Sequence, residues 1–474
     1  MHLETFVHTF LHWSFIVCFG YLSVLYMLTI FCALIASYEN LTRKTDAHAE
    51  DYDAILYSRF TIPVSLVVPA YNEEDGILAV VRRLLDLDYP EYEVIVVNDG
   101  SPDGTFNVLE SEFALEPLKV YYRQTLRTKP VQLVYRSKTD SRLLVVNKEN
   151  GGKADALNCG VNFARYRYLC CLDGDTIYKR EALLAAMRVA VKDPANILGM
   201  TGLIAVCRHL DTDDTNEVGH KTIDHHVWSN LQHLEMLRAF VNNRLAWSRL
   251  GFMLCVSGAF GIWRRDVVIE VGGFATHFSC EDMEMTFRVL EKYRRERRPG
   301  KIVSLPDLVA ITEGPENIPS LISQRERWQR VILETVWYYR RMLLNPRYGL
   351  IGLLGVPYIV ISECLGPLMQ ILVVVSLGVA IGFGELIWKD FLAMLGVQVF
   401  VISIMSSVAL WMNDWSFRYY RLRDLLRLTL IAPLDMFWYR PILVYAGAKG
   451  VVGFLSRDKG WQRFARNRRR NGGR

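Results

Sequence analysis

Two aspartates separated by one glycine, Asp173-Gly174-Asp175, follow an apolar run, Tyr168 to Leu172. Two hard carboxylates at that spacing can flank a single divalent cation, Mg2+ or Mn2+, that bridges the phosphates of a nucleotide. As a bare string the triplet says little, and its place at the end of a buried strand gives it meaning. Just upstream, Asn147-Lys-Glu-Asn-Gly-Gly-Lys153 has two glycines that admit close backbone approach and an ammonium at the start of a predicted helix. That composition suits a phosphate. It does not match G-x-x-x-x-G-K-[ST], which argues against a kinase or ATPase.

Two earlier runs also end in acids and turn formers, Tyr71-Asn-Glu73-Glu-Asp75 and Asn98-Asp99-Gly-Ser-Pro-Asp-Gly104. Carboxylates there can accept from base N–H and ribose hydroxyl groups, although helix caps and turns would account for either cluster alone. Downstream lie Cys280-Glu281-Asp282 and Gln324-Arg-Glu-Arg327-Trp328. A carboxylate in a partly closed pocket can take the proton of an attacking hydroxyl, an arginine can fork onto a diphosphate, and an indole face fits the C–H side of a sugar. The alternatives are ordinary acids at a helix N-terminus and an Arg-Trp pair on a membrane-surface helix.

These residues need a scaffold, and the pattern around them predicts one. Apolar β-rich runs at Val64 to Pro69, Val94 to Asn98, Leu143 to Asn147 and Tyr168 to Asp173 alternate with helical periodicity such as Ile77 to Leu87. This is the pattern of an α/β, Rossmann-like, doubly wound sheet whose ligand site lies at the carboxyl ends of its strands. Leu11 to Ala36 is apolar and long enough to cross a bilayer, without a signal-peptide cleavage pattern. Arg43 and Lys44 follow it, which places the next domain in the cytosol. Ser320 to Leu344 interleaves arginines with aromatic residues, as an interfacial helix does.

Further apolar runs, Leu350 to Phe383, Phe391 to Met412 and Leu428 to Leu455, can each enter or span the membrane. Glu363, Asp435 and Arg440 within them hint at a polar passage. Arg418, Arg421, Arg423, Arg427 and the basic tail should face the cytosol. An even number of crossings is then needed after the catalytic unit, so the first run is a hairpin or one run is interfacial. The expected divisions are an anchor (1–40), a cytosolic catalytic domain (41–315), interface helices (316–346), membrane and interface helices (347–456) and a basic tail (457–474).

With 474 residues, 51% of them hydrophobic, the chain exceeds one ordinary domain and carries extra apolar surface. The basic tail reads as a contact for membrane lipids, and no nucleic-acid motif accompanies it. Nine cysteines without C-x-x-C spacing indicate a reduced, cytosol-facing catalytic portion. His220, His225, His226 and His233 are read as surface or polar-core residues in preference to zinc ligands. Neither the stretch Lys119 to Arg142 nor the acidic segment Asp211 to Glu217 is readily placed.

In order, these motifs resemble the family-two inverting glycosyltransferases with a GT-A fold. Cys280-Glu281-Asp282 looks like the Thr-Glu-Asp motif, and Gln324 to Trp328 like the Gln-x-x-Arg-Trp signature, of processive hyaluronan, chitin, cellulose and poly-N-acetylglucosamine synthases. The resemblance covers residues 61 to about 345 and the membrane framework. It implies that Tyr71, Glu73 and Asp99 hold uridine, that Lys153 lies by the nucleotide, and that Asp173 and Asp175 serve ribose-phosphate and metal, Asp175 as the metal ligand. It also implies that Asp282 is the general base with Glu281 beside it. Ser257 and Gly258 then border the acceptor, and Gln324, Arg327 and Trp328 close over diphosphate and acceptor.

One departure is that Cys280 replaces the usual threonine, so a hydroxyl contact near the base is expected to be absent. The implied partners are a UDP-sugar, with a leaning to UDP-N-acetylglucosamine, and a growing polysaccharide. The runner-up acceptor is a lipid carrier receiving one sugar. The chain is expected in the plasma (bacterial inner) membrane, with room for an accessory export subunit.

Overall fold

The computed structural model describes residues 2–47, 52–174, 176–207, 226–315, 317–384, 388–417 and 420–456. Ten strands among them form one mixed sheet: β1 (Val64–Ala70), β2 (Tyr92–Asp99), β3 (Leu115–Pro117), β4 (Val131–Ser137), β5 (Leu143–Lys148), β6 (Tyr168–Leu172), β7 (Thr176–Tyr178), β8 (Ile197–Cys207), β9 (Phe260–Arg264) and β10 (Lys301–Glu313). Their order is β3-β4-β5-β2-β1-β6-β9-β8-β10-β7.

β5, β2, β1 and β6 are mutually parallel, and β2 is buried along its whole length. That is why these strands read as continuous apolar runs: a parallel sheet is covered on both faces. The chain winds outward from β1 to β2 and β5, then returns to the other side of β1 as β6. The crevice outside the ends of β1 and β6 is therefore the switch point where an open α/β sheet binds ligands. β9 runs antiparallel to β6, so the residues entering β9, Ser257 and Gly258, arrive where β6 delivers Asp173.

The unplaced stretch 119–142 supplies β4, which pairs antiparallel with β5. Its loop is held by Asn162, whose side-chain oxygen accepts from Thr125 N and Leu126 N at 3.0 and 2.9 Å. On β1 the Lys153–Phe163 helix lies so close that a Cβ at Gly160 would stand 2.2 Å from Val67 Cγ1. This contact fixes the helix start, and with it Lys153, above the crevice.

Among the described residues three helices are long and apolar enough to cross a membrane, over Leu3–Thr42, Ile351–Gly382 and Trp388–Trp415. The first belongs to a continuous helix, His2–Ala47, about 69 Å long at the standard α-helical rise. The third C-terminal run is broken into Leu422–Ile431, a π-helical turn Asp435–Tyr439, and Arg440–Leu455. Pro433 and Pro441 flank the break and remove helix donors there.

The sheet domain is tied to these helices through Val227–Leu250. Asn242 Nδ2 donates to Met405 O at 3.0 Å, the Arg238 guanidinium lies 2.6 Å from Asp435 Oδ2, and Trp247 meets Tyr358 edge-on with ring centroids 5.5 Å apart. The basic tail, the segment 211–217, His220, His225 and Arg418 lie outside the described residues. His233 is buried and shares a 2.7 Å hydrogen bond with the Tyr420 hydroxyl. Burial pushes its imidazole down to about 4, so it is a neutral polar-core residue at neutral pH.

The last helix packs directly on Ile318–Tyr338, which carries Gln324 to Trp328. A Cβ on Gly450 would lie 2.6 Å from Gln329 Cβ and 2.8 Å from Glu326 O, atoms that cannot swing aside. Gly450→Val should therefore cost about 1–3 kcal/mol of stability by overpacking. A lower thermal midpoint in detergent, together with slower sugar transfer as the helix is pushed off its seat, checks this.

Candidate active site

Two acidic loops meet at the crevice and brace each other. After β1 the chain turns through Asn72, whose φ of 56° lies in the left-handed region that asparagine tolerates. Glu73 N donates to Thr105 Oγ1 at 2.9 Å, and Glu74 Oε2 accepts from Gly104 N at 3.0 Å. Tyr71 and Glu73 line the cleft on this side.

Asp99 borders the same cleft, at its base. It is 2% exposed, and its carboxylate accepts from Gly151 N at 3.0 Å, Gly152 N at 2.7 Å and Lys148 Nζ at 2.6 Å. Gly152 adopts φ 88°, which a side chain would oppose. Asp99 thus holds the glycine loop in shape. Lys148, fully buried, also contacts Asp155 at 2.6 Å. Burial alone would push its ammonium down, but hydrogen bonds with Asp155 and Asp99 outweigh that and raise it above the ordinary lysine value.

The loop delivers Lys153 to the centre of the site. Its Nζ lies 2.7 Å from Asp173 Oδ1 and 2.8 Å from Glu281 Oε1, joining the end of β6 to the start of the Glu281–Arg295 helix. Burial works against the ammonium, yet the two carboxylates outweigh it and hold Lys153 charged, well above the ordinary lysine value. Asp175 lies outside the described residues. Among the described residues no three His, Cys, Asp or Glu side chains cluster as metal ligands.

Asp282 is held on both oxygens. Oδ2 accepts from Gly258 N at 2.9 Å; Oδ1 accepts from Met283 N at 2.5 Å and from the Cys280 thiol at 2.8 Å. The contact expected to vanish with the threonine is therefore present, made by sulfur. A hydroxyl also sits one turn along, where Thr286 Oγ1 donates to Asp282 O at 2.9 Å and accepts from Val256 N at 3.1 Å. These bonds lock the Val256-Ser257-Gly258 approach to the helix that carries Asp282.

Gln324, Arg327 and Trp328 line the opposite wall. Arg325 beside them lies 2.6 Å from Glu235 Oε2 and 4.1 Å over the Trp328 ring, while the Tyr439 hydroxyl donates to the same Glu235 oxygen at 2.6 Å. In the sequence Arg325 is one arginine of a basic helix face, and neither Glu235 nor Tyr439 belongs to a motif. These two partners of Arg325 lie 90 and 114 residues from it along the chain, and no local pattern announces such a pairing.

The described residues that the sequence marks as site candidates all border one cavity of about 1720 Å³. It runs from Tyr71, Glu73 and Lys153 past Asp173, Asp282 and Trp328 to Tyr358, Ile359 and Glu363 on the apolar helix that follows the sheet domain. Gln329 Nε2 fastens the two walls by donating to Glu363 O at 2.9 Å.

A family model described as "Glycosyl transferase family group 2" matches residues 168–420, and one described as "Glycosyl transferase family 2" matches residues 65–236. The chain is similar to poly-beta-1,6-N-acetyl-D-glucosamine synthase of Staphylococcus aureus, strain MSSA476, at 25% identity over 291 residues, 61% of this chain and 57% of that protein. The enzyme of the same name from Staphylococcus epidermidis is 25% identical over 280 residues, 58% of this chain and 56% of that one. The chain thus spans somewhat more than half the length of these relatives. Among solved structures, the mannosyltransferase PcManGT from Pyrobaculum calidifontis, in complex with GDP-Man and Mn2+, aligns with a TM-score of 0.52 at 17% identity. The alignment covers 88% of this chain and 99% of that one, a likeness of fold.

Proposed function

Since the chain belongs to glycosyl transferase family group 2, we propose that it is a membrane polysaccharide synthase that transfers a sugar from a UDP-sugar, with inversion, to the growing end of a β-linked polymer. The observation that carries this reading is the single cavity joining the nucleotide-type loops, a fixed carboxylate and the apolar helix at Glu363. A donor can lie at one end, an acceptor can extend toward the membrane at the other, and Asp282 stands between them.

In this reading Tyr71 and Glu73 contact the nucleoside. Asp99 acts through the glycine loop, and Lys153 exchanges part of its contact with Asp173 for the diphosphate. The acceptor hydroxyl passes its proton to Asp282 as its oxygen attacks the anomeric carbon. Arg327 and Gln324 face the departing diphosphate, and Trp328 offers a stacking surface to the acceptor sugar. A divalent cation, Mg2+ or Mn2+, fits the donor chemistry, since the Asp173 carboxylate at the end of β6 is a hard oxygen ligand beside the lysine that now neutralises it. Asp173, with Asp175 one residue beyond the glycine, would hold the ion, which would neutralise charge on the leaving diphosphate.

Two crossings after the sheet domain, Ile351–Gly382 and Trp388–Trp415, with the broken final run in the interface, give the even count that a cytosolic catalytic unit in the plasma membrane needs. The relatives' printed names support N-acetylglucosamine as the sugar, whereas the fold neighbour was solved with GDP-mannose. Purified protein in lipid nanodiscs, given a panel of UDP-sugars and GDP-mannose with Mg2+ or Mn2+, should release UDP fastest from UDP-N-acetylglucosamine. Release from GDP-mannose alone would overturn the donor assignment. One lipid-soluble product carrying a single sugar would replace the polymer by a lipid-carrier acceptor.

A further inference from the structure

Three hydrogen bonds determine how Asp282 can act. Oδ1 already accepts from Met283 N and Cys280 Sγ. Oδ2 accepts from Gly258 N, and it shares the space above Gly258 with Lys153 Nζ: a Cβ built on Gly258 would lie 3.2 Å from each. That space is part of the cavity. A carboxylate oxygen with two donors has no lone pair left for a third, whereas Oδ2 keeps one open toward the cavity.

Resting on the reading of Asp282 as base, we propose that Cys280 is a positioning residue: its thiol holds Oδ1 and so makes Oδ2 the atom that takes the acceptor proton. In the step, the hydroxyl proton moves to Oδ2 as the hydroxyl oxygen bonds to the anomeric carbon, and the bond from that carbon to the diphosphate breaks with its electron pair leaving on the diphosphate. Cys280 is suited to a permanent donor role. Burial, then the Asp282 and Glu281 charges, push the thiol well above its ordinary value against the opposing pull of Lys153, so it stays S–H. It sits at the N-cap of the Glu281–Arg295 helix with φ −149° and ψ 126°. A threonine or serine hydroxyl in the same extended conformation can replace the sulfur as donor.

The test uses the full chain in nanodiscs with the best donor of the panel. Cys280→Ala should lower kcat about 5–10-fold, the worth of one weak charge-assisted hydrogen bond, with donor KM within about twofold because no nucleotide contact is lost. The acid limb of its kcat/KM profile should move to higher pH, because a carboxylate that loses a donor binds its proton more tightly. Cys280→Thr and Cys280→Ser should restore the limb. A merely structural role would lower kcat and thermal midpoint together without moving the limb, which would overturn the proposal.

Independently of any variant's folding, methyl methanethiosulfonate at neutral pH should affect the wild-type protein and Cys280→Thr equally, because a buried thiol held as S–H is a poor nucleophile; inactivation of the wild type that Cys280→Thr escapes would show a thiolate there and overturn the donor role. Cys255, which also lines the cavity, is present in both. If Asp282→Asn retains transfer, the base reading itself fails; if Asp282→Asn is inactive while Cys280→Ala keeps the wild-type pH profile, only the role of Cys280 falls.

Discussion

Replacing Asp282 with asparagine is expected to reduce sugar transfer about 10³-fold or more while the protein keeps its fold and its affinity for nucleotide. Asparagine has the same shape, and its amide oxygen can still accept from Gly258 N, the 2.9 Å contact that seats the side chain. It cannot take a proton. General-base assistance is worth about 10²–10⁴-fold, and the upper part of that range applies because Asp282 is fixed on both oxygens. Acceptor-dependent nucleotide release, read beside UDP binding by calorimetry, separates the outcomes. Retained binding with lost release supports the base, and retained release removes Asp282 from the chemistry.

Lys148→Met should destabilise the protein by about 3–5 kcal/mol, because removing one partner of a buried ion cluster leaves the other charges uncompensated. The lysine side chain is 0% exposed, with Asp99 and Asp155 at 3% and 10%. Methionine fills its volume but donates nothing. Asp99 would keep its bonds from Gly151 N and Gly152 N yet lose its counter-charge, so the loop that presents Lys153 should loosen. The expected result is a large drop in thermal midpoint with a raised donor KM. A variant as stable as wild type, with unchanged KM, would show that the cluster contributes neither rigidity nor placement.

The strands at the centre of the sheet were legible because burial on both faces demands unbroken apolar runs, and β1, β2, β5 and β6 begin and end within two residues of those runs. The ligand side of the sheet was legible for a related reason: polar, turn-forming clusters such as Tyr71 to Asp75 are tolerated only where the chain leaves the core. What escaped depends on pairing at a distance. β4 lies one strand in from the edge, covered on its outer side only by the three-residue β3, and with an exposed Leu133 it alternates too weakly to stand out. The long β10 opens with a lysine and contains a proline, Pro306, and an aspartate, Asp307, which disguise it as a loop.

In the site, residue types were readable but not their partners. Asp99 was legible as a cleft residue, but its partners Gly151 and Gly152 come from a loop some fifty residues away that only the parallel β2–β5 register brings alongside. The loss of a hydroxyl at Cys280 was inferred from residue type, whereas the extended backbone there lets a thiol make the same contact. Whether Leu428 to Leu455 crosses the membrane was left open by composition. Its break at Asp435–Tyr439 and the seating of Gly450 on the helix of Gln324 to Trp328 depend on tertiary contacts that composition does not show.

The central claim is that one cavity serves donor and growing acceptor together, and the size of the product made by the purified wild-type protein tests it most directly. Incubation in nanodiscs with radiolabelled UDP-N-acetylglucosamine and Mg2+ or Mn2+, followed by a sizing gel, should give a ladder or smear of long, linkage-uniform saccharide that is absent with Asp282→Asn. A single sugar on a lipid-soluble carrier, or free monosaccharide alone, would contradict it.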